Sequence, residues 1–309
     1  MNHINRDKSA LQSGFTLIEL SIVLVVIGLI IGGILTGRDL MDVAAQRAQV
    51  TQMQKYSTAV NTFRNKYGYL PGDIPDPQAS GFGFQARSTN RGEGDGNGVL
   101  ESYGDSSDSQ AYGYATGSGE LAVFWQDIST AGLIDTSVIY NVSSNVPKIA
   151  LNPSPNVTLT SSPGIKDWLP TSKIGSNIFI YVFSLNGLNY FALSTVDTIG
   201  GTVQSSENPG LTVQQAYNID KKIDDGLPQS GSVTACYVNF NVVNYRAIWA
   251  AGGNIQGAGT GGSGCAATTA ATPYATTNCY DNTNVAGTET YSLSQNANVQ
   301  NCALSFRFQ

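Results

Sequence analysis

Histidine is almost absent from this sequence: its 309 residues include one, His3, close to the start of the chain. Ser-His-Asp and Cys-His catalytic groups, and zinc sites with histidine ligands, each need a histidine in the folded domain. If the first residues are removed from the working protein, no histidine remains. The sequence therefore excludes these hydrolase and zinc-site classes for the rest of the chain.

Charged residues are also scarce. Asp, Glu, Lys and Arg make up 12% of the chain, and the formal net charge is -6. Proteins that bind nucleic acid normally carry a basic patch, and the one basic cluster here is Lys221 with Lys222. We therefore predict no nucleic-acid partner. The 34 glycines, with many Ser, Thr and Asn residues, indicate a folded polar chain rather than a disordered one.

Cysteine is missing from the first three quarters of the chain and then occurs at Cys236, Cys265, Cys279 and Cys302. No pair has C-x-x-C spacing, which argues against a redox or metal site. An even number in a Gly- and Thr-rich region favours two disulfides formed outside the cytoplasm. Four cysteines allow three connectivities, and the spacing does not choose among them.

One long hydrophobic run is present, at residues 15–35, and it contains a single charged residue, Glu19. A helix of this length spans about 32 Å, which matches a bilayer core of about 30 Å. Arg6 and Lys8 precede it and would hold the N-terminus in the cytoplasm. The run is too long for a cleaved secretory signal. An ordinary anchor leaves Glu19 unexplained, since a carboxylate in a membrane costs a few kcal/mol unless it is paired.

The stretch "GFTLIEL", which starts at Gly14, resembles the processing site of type IV prepilins and of the pseudopilins of type II secretion. The resemblance implies that a prepilin peptidase cuts after Gly14 and that Phe15 becomes the N-methylated terminus. Glu19 then pairs with the new terminus of a neighbouring subunit in a low-dielectric filament core. This pairing would set the axial register of adjacent subunits.

The helix is expected to continue beyond the membrane to residue 67, where Gly68 and Pro71 end it. Many type IV pilins have a proline where this chain has Thr36, and nearby glycines would supply the flexibility instead. Apolar residues recur at helical spacing and predict one buried stripe. The stripe consists of Leu40, Val43, Val50, Met53, Tyr56, Val60, Phe63 and Tyr67.

Strand signals follow in the second half of the chain. Two apolar runs flank Asn186 and Gly187, a favoured turn for a two-residue hairpin, and further strands are expected at 235–243 and 302–308. A short helix is expected at 119–135. The tract 251–290 would be a long loop, which Cys265 and Cys279 could staple. The fold class is therefore α+β and pilin-like: a long N-terminal helix packed on an antiparallel β-sheet, with long Gly-rich loops.

The expected division of the chain is a leader at 1–14, a transmembrane or filament-core helix at 15–35, its amphipathic continuation at 36–67, and a globular α+β domain at 68–309. The globular domain would lie in the periplasm, outside the bacterial inner membrane. After assembly it would lie in a filament, in the periplasm or at the cell surface.

Ca²⁺ is the one candidate cofactor. In "RGEGDGNGVLES", Asp95, Asn97 and Glu101 offer oxygen ligands between glycines, as in the first part of a calcium loop, although the full EF-hand spacing is missing. A solvated Asp/Gly loop is the alternative. A second candidate, before a turn, is the set Asp220, Asp224 and Asp225.

Taken together, these features predict a structural subunit of a type IV pilus or a type II secretion pseudopilus, and no enzyme. Its partners would be the prepilin peptidase, like or related pilin subunits, the inner membrane and the assembly platform. The alternative is a minor pilin that acts as an adhesin on the filament. A third class, an anchored enzyme using carboxylates such as Glu93 with Asp95, has only local acidity in its favour.

Overall fold

A long α-helix dominates the N-terminal part of the protein. The structure is a computed structural model that describes residues 15–87, 94–101, 119–134, 157–158, 165–185, 187–199, 206–208, 210–237, 279–281 and 290–309. Helix α1 spans Leu17–Tyr67. It ends where Gly68, at a φ of 83°, donates its N–H to the carbonyl of Arg64 at 2.8 Å. A glycine in the left-handed region is the usual stop for a helix.

The other helices in the described part of the chain are short. They are α2 at Gln78–Gly81, α3 at Gly119–Thr130, α4 at Val213–Ile223 and α5 at Leu293–Asn296, with a 3-10 turn at Ile165–Asp167. A capping box starts α4: the Thr212 hydroxyl accepts the Gln215 N–H at 3.1 Å, and the Gln215 side chain accepts the Thr212 N–H at 3.0 Å. The predicted helix at 119–135 is thus present as α3, with an earlier end.

Contacts divide the chain into two compact units, Met1–Ala45 and Gln46–Gln309. In the second unit the described strands form one antiparallel sheet and a separate two-stranded ribbon. The strands are β1 at Val157–Thr158, β2 at Ile178–Leu185, β3 at Leu188–Ile199, β4 at Ser206–Asn208, β5 at Val233–Tyr237, β6 at Tyr280–Asp281, β7 at Thr290–Tyr291 and β8 at Cys302–Arg307.

Strand β3 is the centre of the main sheet. One edge of β3 pairs with β2 and, further along, with β1; the other edge pairs with β8 and then β4, and β5 pairs with the far side of β8. The hairpin predicted around Gly187 is confirmed, because Leu185 pairs directly with Leu188. The α+β, pilin-like fold class is confirmed as well.

Irregular chain contacts part of the outer edge of β2 and part of that of β5. The Ile180 N–H of β2 donates to the Pro170 carbonyl at 2.9 Å, and Thr171 forms a bridge with Phe179. On β5, the Ala235 N–H donates to the Pro228 carbonyl at 2.7 Å. These contacts occupy backbone groups that another strand could otherwise pair with.

The core of the second unit lies where α1, α3 and the sheet meet. The ring of Tyr56 on α1 lies 4.9 Å from that of Trp125 on α3 and 6.3 Å from that of Phe191 on β3. Leu40 and Val43, which the sequence placed on the buried stripe, are 67% and 38% exposed. The buried residues of α1 instead begin with two glutamines and are Gln46, Gln49, Met53, Tyr56, Ala59, Val60 and Phe63.

One disulfide is present among the described residues. Cys279 is bonded to Cys302 at the start of β8, with their Cα atoms 5.0 Å apart. This bridge closes a chain segment with a sequence separation of 23 residues. The side chain of Cys236 and all of Cys265 lie outside the described residues, as does most of the tract 251–290.

Replacing Cys279 and Cys302 together by alanine should lower the free energy of unfolding by about 3 kcal/mol, because the unfolded chain regains the entropy of an open loop of this length. Urea unfolding of the double variant, compared with the oxidised native protein, measures this change. An unchanged unfolding midpoint would show that the bridge does not constrain the unfolded state.

Candidate functional sites

The first candidate site is the start of α1, where Glu19 folds back onto Thr16. The backbone N–H and the hydroxyl of Thr16 both donate to the Glu19 Oε2 atom, each at 2.8 Å. The Glu19 N–H in turn lies 3.3 Å from the Thr16 hydroxyl oxygen. This reciprocal arrangement resembles a capping box and satisfies donors at the helix start. In the single chain, the carboxylate therefore has partners within its own first turn.

The side chains after Glu19 form an exposed apolar surface. Leu17, Leu24, Leu29 and Leu35 are between 60% and 86% exposed, and the other large apolar side chains of this stretch are exposed too. The Ser21 hydroxyl donates to the Leu17 carbonyl at 2.6 Å, so it needs no partner outside the helix. By length and composition, α1 is the one described helix that could cross a membrane.

The second candidate site is the loop at 94–101, which two buried carboxylates hold in place. Asp73 accepts the Gly96 N–H at 2.7 Å and the Gly98 N–H at 2.8 Å. Glu120, on the first turn of α3, accepts the N–H groups of Gly94 and Glu101, both at 2.9 Å. Carboxylates from two other segments thus hold the loop by accepting hydrogen bonds from its backbone N–H groups.

Close packing explains one glycine of this loop. A Cβ atom on Gly94 would lie 2.4 Å from the carbonyl oxygen of Ile74, and the φ of Gly94 is 94°. Only glycine therefore fits at this position without strain.

The other side of the loop is hydrogen-bonded to the sheet. Asn189 of β3 accepts the Leu100 N–H at 2.9 Å and donates to the Gly98 carbonyl at 2.8 Å. The position of the loop is therefore set by both the sheet and α3.

Burial shapes the electrostatics of this site. It raises the pKa of Asp73 to about 7, against the lowering effect of the N–H groups of Gly98 and Gly96. Burial also raises the pKa of Glu120 well above its usual range, and the negative charge of Asp73 adds to the effect. Carboxyl groups in such a site favour either a proton or a bound cation.

A buried ion pair lies on the same side of α3. The Arg87 guanidinium donates to Asp127 Oδ2 at 2.6 Å, and both side chains are buried. The same oxygen accepts the Gly72 N–H at 2.7 Å. Burial raises the pKa of Asp127 despite the attraction of Arg87. Removing either partner would leave the other charge buried and unpaired, which is strongly destabilising.

The sequence-predicted calcium ligands are only partly brought together. Asp95 is exposed, and one of its oxygens lies within 4.8 Å of an oxygen of Asp73 and one of Glu120. The Asn97 side chain donates to Asp95 at 3.1 Å and accepts the Val99 N–H at 2.7 Å. Glu101 is buried. Sequence reasoning did not select Asp73 and Glu120, because they lie in distant segments with no shared motif.

The second acidic set surrounds the end of α4. Asp220 accepts the Tyr291 hydroxyl at 2.7 Å and the Gly226 N–H at 3.2 Å. Asp224 accepts the N–H groups of Ser232 and Val233, and Asp225 accepts the Leu227 N–H. These bonds fit the turn interpretation of this stretch, and carboxylate oxygens of the three residues also lie within 4.8 Å of one another, as in a metal site. Burial raises the pKa of Asp220 to about 7.

Comparison with known proteins agrees with the first site. The apolar N-terminal helix and the antiparallel sheet define a pilin-like α+β protein. Residues 10–35 match the family model for the prokaryotic N-terminal methylation motif. The match supports a prepilin of the type IV pilin or pseudopilin type and confirms the resemblance seen in the sequence. Comparisons with curated proteins and with solved structures find no match.

The raised pKa of Asp220 predicts a pH-dependent stability. The folded-state pKa of about 7 exceeds the ordinary value of 3.8, so the folded protein holds this proton more tightly than the unfolded chain does. The free energy of unfolding should therefore fall as the pH rises from 4 to 7. The side chain of the Asp220→Asn variant stays neutral throughout, so its free energy of unfolding should fall less between pH 4 and pH 7.

Urea unfolding at pH 5 and pH 8 measures the change. The control is Asp42→Asn, which removes an exposed carboxylate of α1 and should leave the pH dependence as it is. An Asp220→Asn protein with the full native slope would contradict the assignment to Asp220.

Proposed function

We propose that this protein is a structural subunit of a type IV pilus or a type II secretion pseudopilus, cut after Gly14 and assembled through residues 15–35. One observation carries the proposal. The segment that matches the methylation motif, residues 10–35, is also the segment whose described large apolar side chains are exposed. A surface of this kind needs lipid, neighbouring helices or both to cover it.

The physical argument concerns what holds such helices together. Lipid tails are as apolar as leucine, so burial of Leu24 or Leu29 against another helix gains little over burial in the bilayer. Polar pairing and close packing must supply the specificity. Cleavage after Gly14 would create an ammonium group at Phe15, and Glu19 is the one carboxylate within the apolar run. A neighbour's ammonium could then replace the hydroxyl and N–H of Thr16 as partner of that carboxylate.

The motif also suggests where the subunit works. It would insert in the inner membrane with its N-terminus in the cytoplasm, meet the prepilin peptidase there, and join like or related subunits at the assembly platform. The globular unit would lie on the periplasmic side. Its role is structural rather than catalytic. The size of the unit that begins at Gln46 favours, as a second candidate, a minor subunit that displays this unit as an adhesin.

Processing and assembly can be tested together by intact mass and N-terminal sequencing of the protein from sheared filaments and from membranes. We expect chains that start at N-methyl-Phe15 in both fractions. Glu19→Ala should still be cut, yet should fall at least tenfold in the sheared fraction, because its helix can no longer pair with a neighbour's terminus.

Asp42→Ala is the matched control, since it removes an exposed carboxylate of the same helix beyond the apolar run, and it should assemble normally. Chains that start at Met1, stay in the membrane and are indifferent to Glu19→Ala would overturn the proposal and leave an anchored exported domain.

We also propose that the loop at 94–101 binds Ca²⁺, with Asp73, Asp95 and Glu120 as the protein ligands. Calcium–oxygen distances are about 2.3–2.6 Å, so oxygens on one ion lie up to about 5 Å apart. The three carboxylate oxygens meet this limit, since they are mutually within 4.8 Å. Each carboxylate oxygen of Asp73 and Glu120 accepts one N–H, which leaves a lone pair for an ion.

Added CaCl₂ should raise the unfolding temperature of the full chain, since binding at 100 times Kd adds about 2.7 kcal/mol to the free energy of unfolding. Asp95→Asn should remove the effect without disturbing the buried carboxylates. Asp225→Asn, in the other acidic set, should keep it. If CaCl₂ still raises the unfolding temperature of Asp95→Asn but not that of Asp225→Asn, Ca²⁺ binds at the end of α4 and not at the loop 94–101.

A further inference from the structure

The residues of α1 that face the globular unit change character along the helix. Gln46, Gln49, Met53, Tyr56 and Val60 follow one another at steps of three or four, so they lie on one face. All five are at most 5% exposed. The first two positions are amides, whereas the later ones are apolar or aromatic. The same face of one helix is therefore held by two different kinds of contact.

The amide part of this face is held by side-chain hydrogen bonds to two separate segments. The Asn218 side chain on α4 donates to Gln46 Oε1 at 3.1 Å. The Lys173 N–H donates to Gln49 Oε1 at 2.8 Å. Gln52 donates through its Nε2 atom to the Thr171 carbonyl at 3.1 Å. Helix α4 and the segment 171–173 thus contact this part of α1 through hydrogen bonds.

The hydrogen bonding of this part is incomplete. Gln49 Nε2 and Gln52 Oε1 are buried and have no hydrogen-bond partner among the described residues. A buried polar atom without a partner costs free energy, whereas a bond that water can replace contributes little. Val50 is the one large apolar side chain between residues 46 and 52, and it is only half-buried. Opening this stretch would therefore lose little apolar burial.

The apolar part is held much more strongly. Tyr56 packs against Trp125 and Phe191, and Phe63 packs against Phe84 with ring centroids 5.4 Å apart. Burial of large apolar side chains is the main favourable term in folding, and water offers no replacement for it. Separation of residues 53–67 from the core would thus require disruption of the core itself.

We propose that residues 46–52 of α1 form a polar clasp that opens while residues 53–67 stay packed on the globular unit. The clasp is defined by Gln46, Gln49 and Gln52 and by their contacts with 171–173 and Asn218. For a filament subunit, such a clasp lets this stretch of helix exchange its own unit for a neighbour without exposing the aromatic core. That use rests on the proposed function, whereas the opening itself does not.

Hydrogen exchange of the full chain in detergent micelles tests the opening directly. An undocked helical stretch is marginal in water, so its amides exchange when the clasp opens. We expect amides of residues 46–52 to exchange at least tenfold faster than those of residues 53–60. Fraying does not account for this order, because 46–52 lies inside a helix of 51 residues, further from its C-terminal end than 53–60.

Three variants distinguish local opening of the clasp from a general loss of stability. Gln52→Ala removes the bonds to the Thr171 carbonyl and to the Tyr56 hydroxyl. It should speed exchange in 46–52 several-fold and change exchange in 53–60 much less, because Tyr56 keeps its packing against Trp125 and Phe191. Gln54→Ala is the matched control, since Gln54 is exposed on the same helix and should change neither stretch. Val60→Ala should lower the unfolding temperature and speed exchange in 53–60.

Equal exchange of the two stretches in the native protein, with Gln52→Ala acting equally on both, would overturn the proposal. The helix would then leave the globular unit as one body. Failure of the chain to enter filaments would bear on the proposed function alone, because the exchange order is measured on the isolated chain.

Discussion

The contact of Tyr56 with Trp125 and Phe191 is the interaction on which the globular unit depends. These three rings come from α1, α3 and β3, and they lie between 4.9 and 6.3 Å apart. Aromatic side chains bury large areas, and tilted or offset pairs add to the area term. The helix, the short helix and the sheet are joined there, and the acidic loop takes its position from two of these three elements.

Three buried carboxylates of the unit accept hydrogen bonds from other segments. Asp73 and Glu120 hold the backbone of the loop at 94–101, and Asp127 holds Arg87 and Gly72. Each of these three carboxylates thus accepts two donors, because buried charges need partners. The cost of burial remains visible in the raised pKa values of Asp73 and Glu120. The same arrangement holds the loop and brings together the three carboxylates of the proposed Ca²⁺ site.

The two ends of helix α1 differ in the exposure of their apolar side chains. Its first part exposes leucine, isoleucine and valine, and its last part buries an aromatic and aliphatic face. Between them lies the amide stretch that begins at Gln46, which is held mainly by side-chain hydrogen bonds. Such a gradient of contacts along the helix would suit the filament subunit proposed above.

The sequence by itself determined the features that depend on neighbours in the chain. The length of the apolar run, the stop at Gly68 and the hairpin at Gly187 follow from local helix and turn geometry, and the stretch "GFTLIEL" was recognised by its resemblance to prepilin processing sites. They were therefore readable from the sequence, and so was the α+β class. The sequence also selected Asp95, whose carboxylate lies near those of Asp73 and Glu120 in the structure.

Only the tertiary structure decided which distant groups meet. Asp73 and Glu120 come together because α3 packs beside the segment after α1, and no pattern in the chain encodes that contact. The pairing of Cys279 with Cys302, one of several connectivities, depends on the position of β8. Gln46 and Gln49 were missed because apolar spacing predicts burial by hydrophobicity, whereas a polar side chain is buried only where another segment supplies its partner.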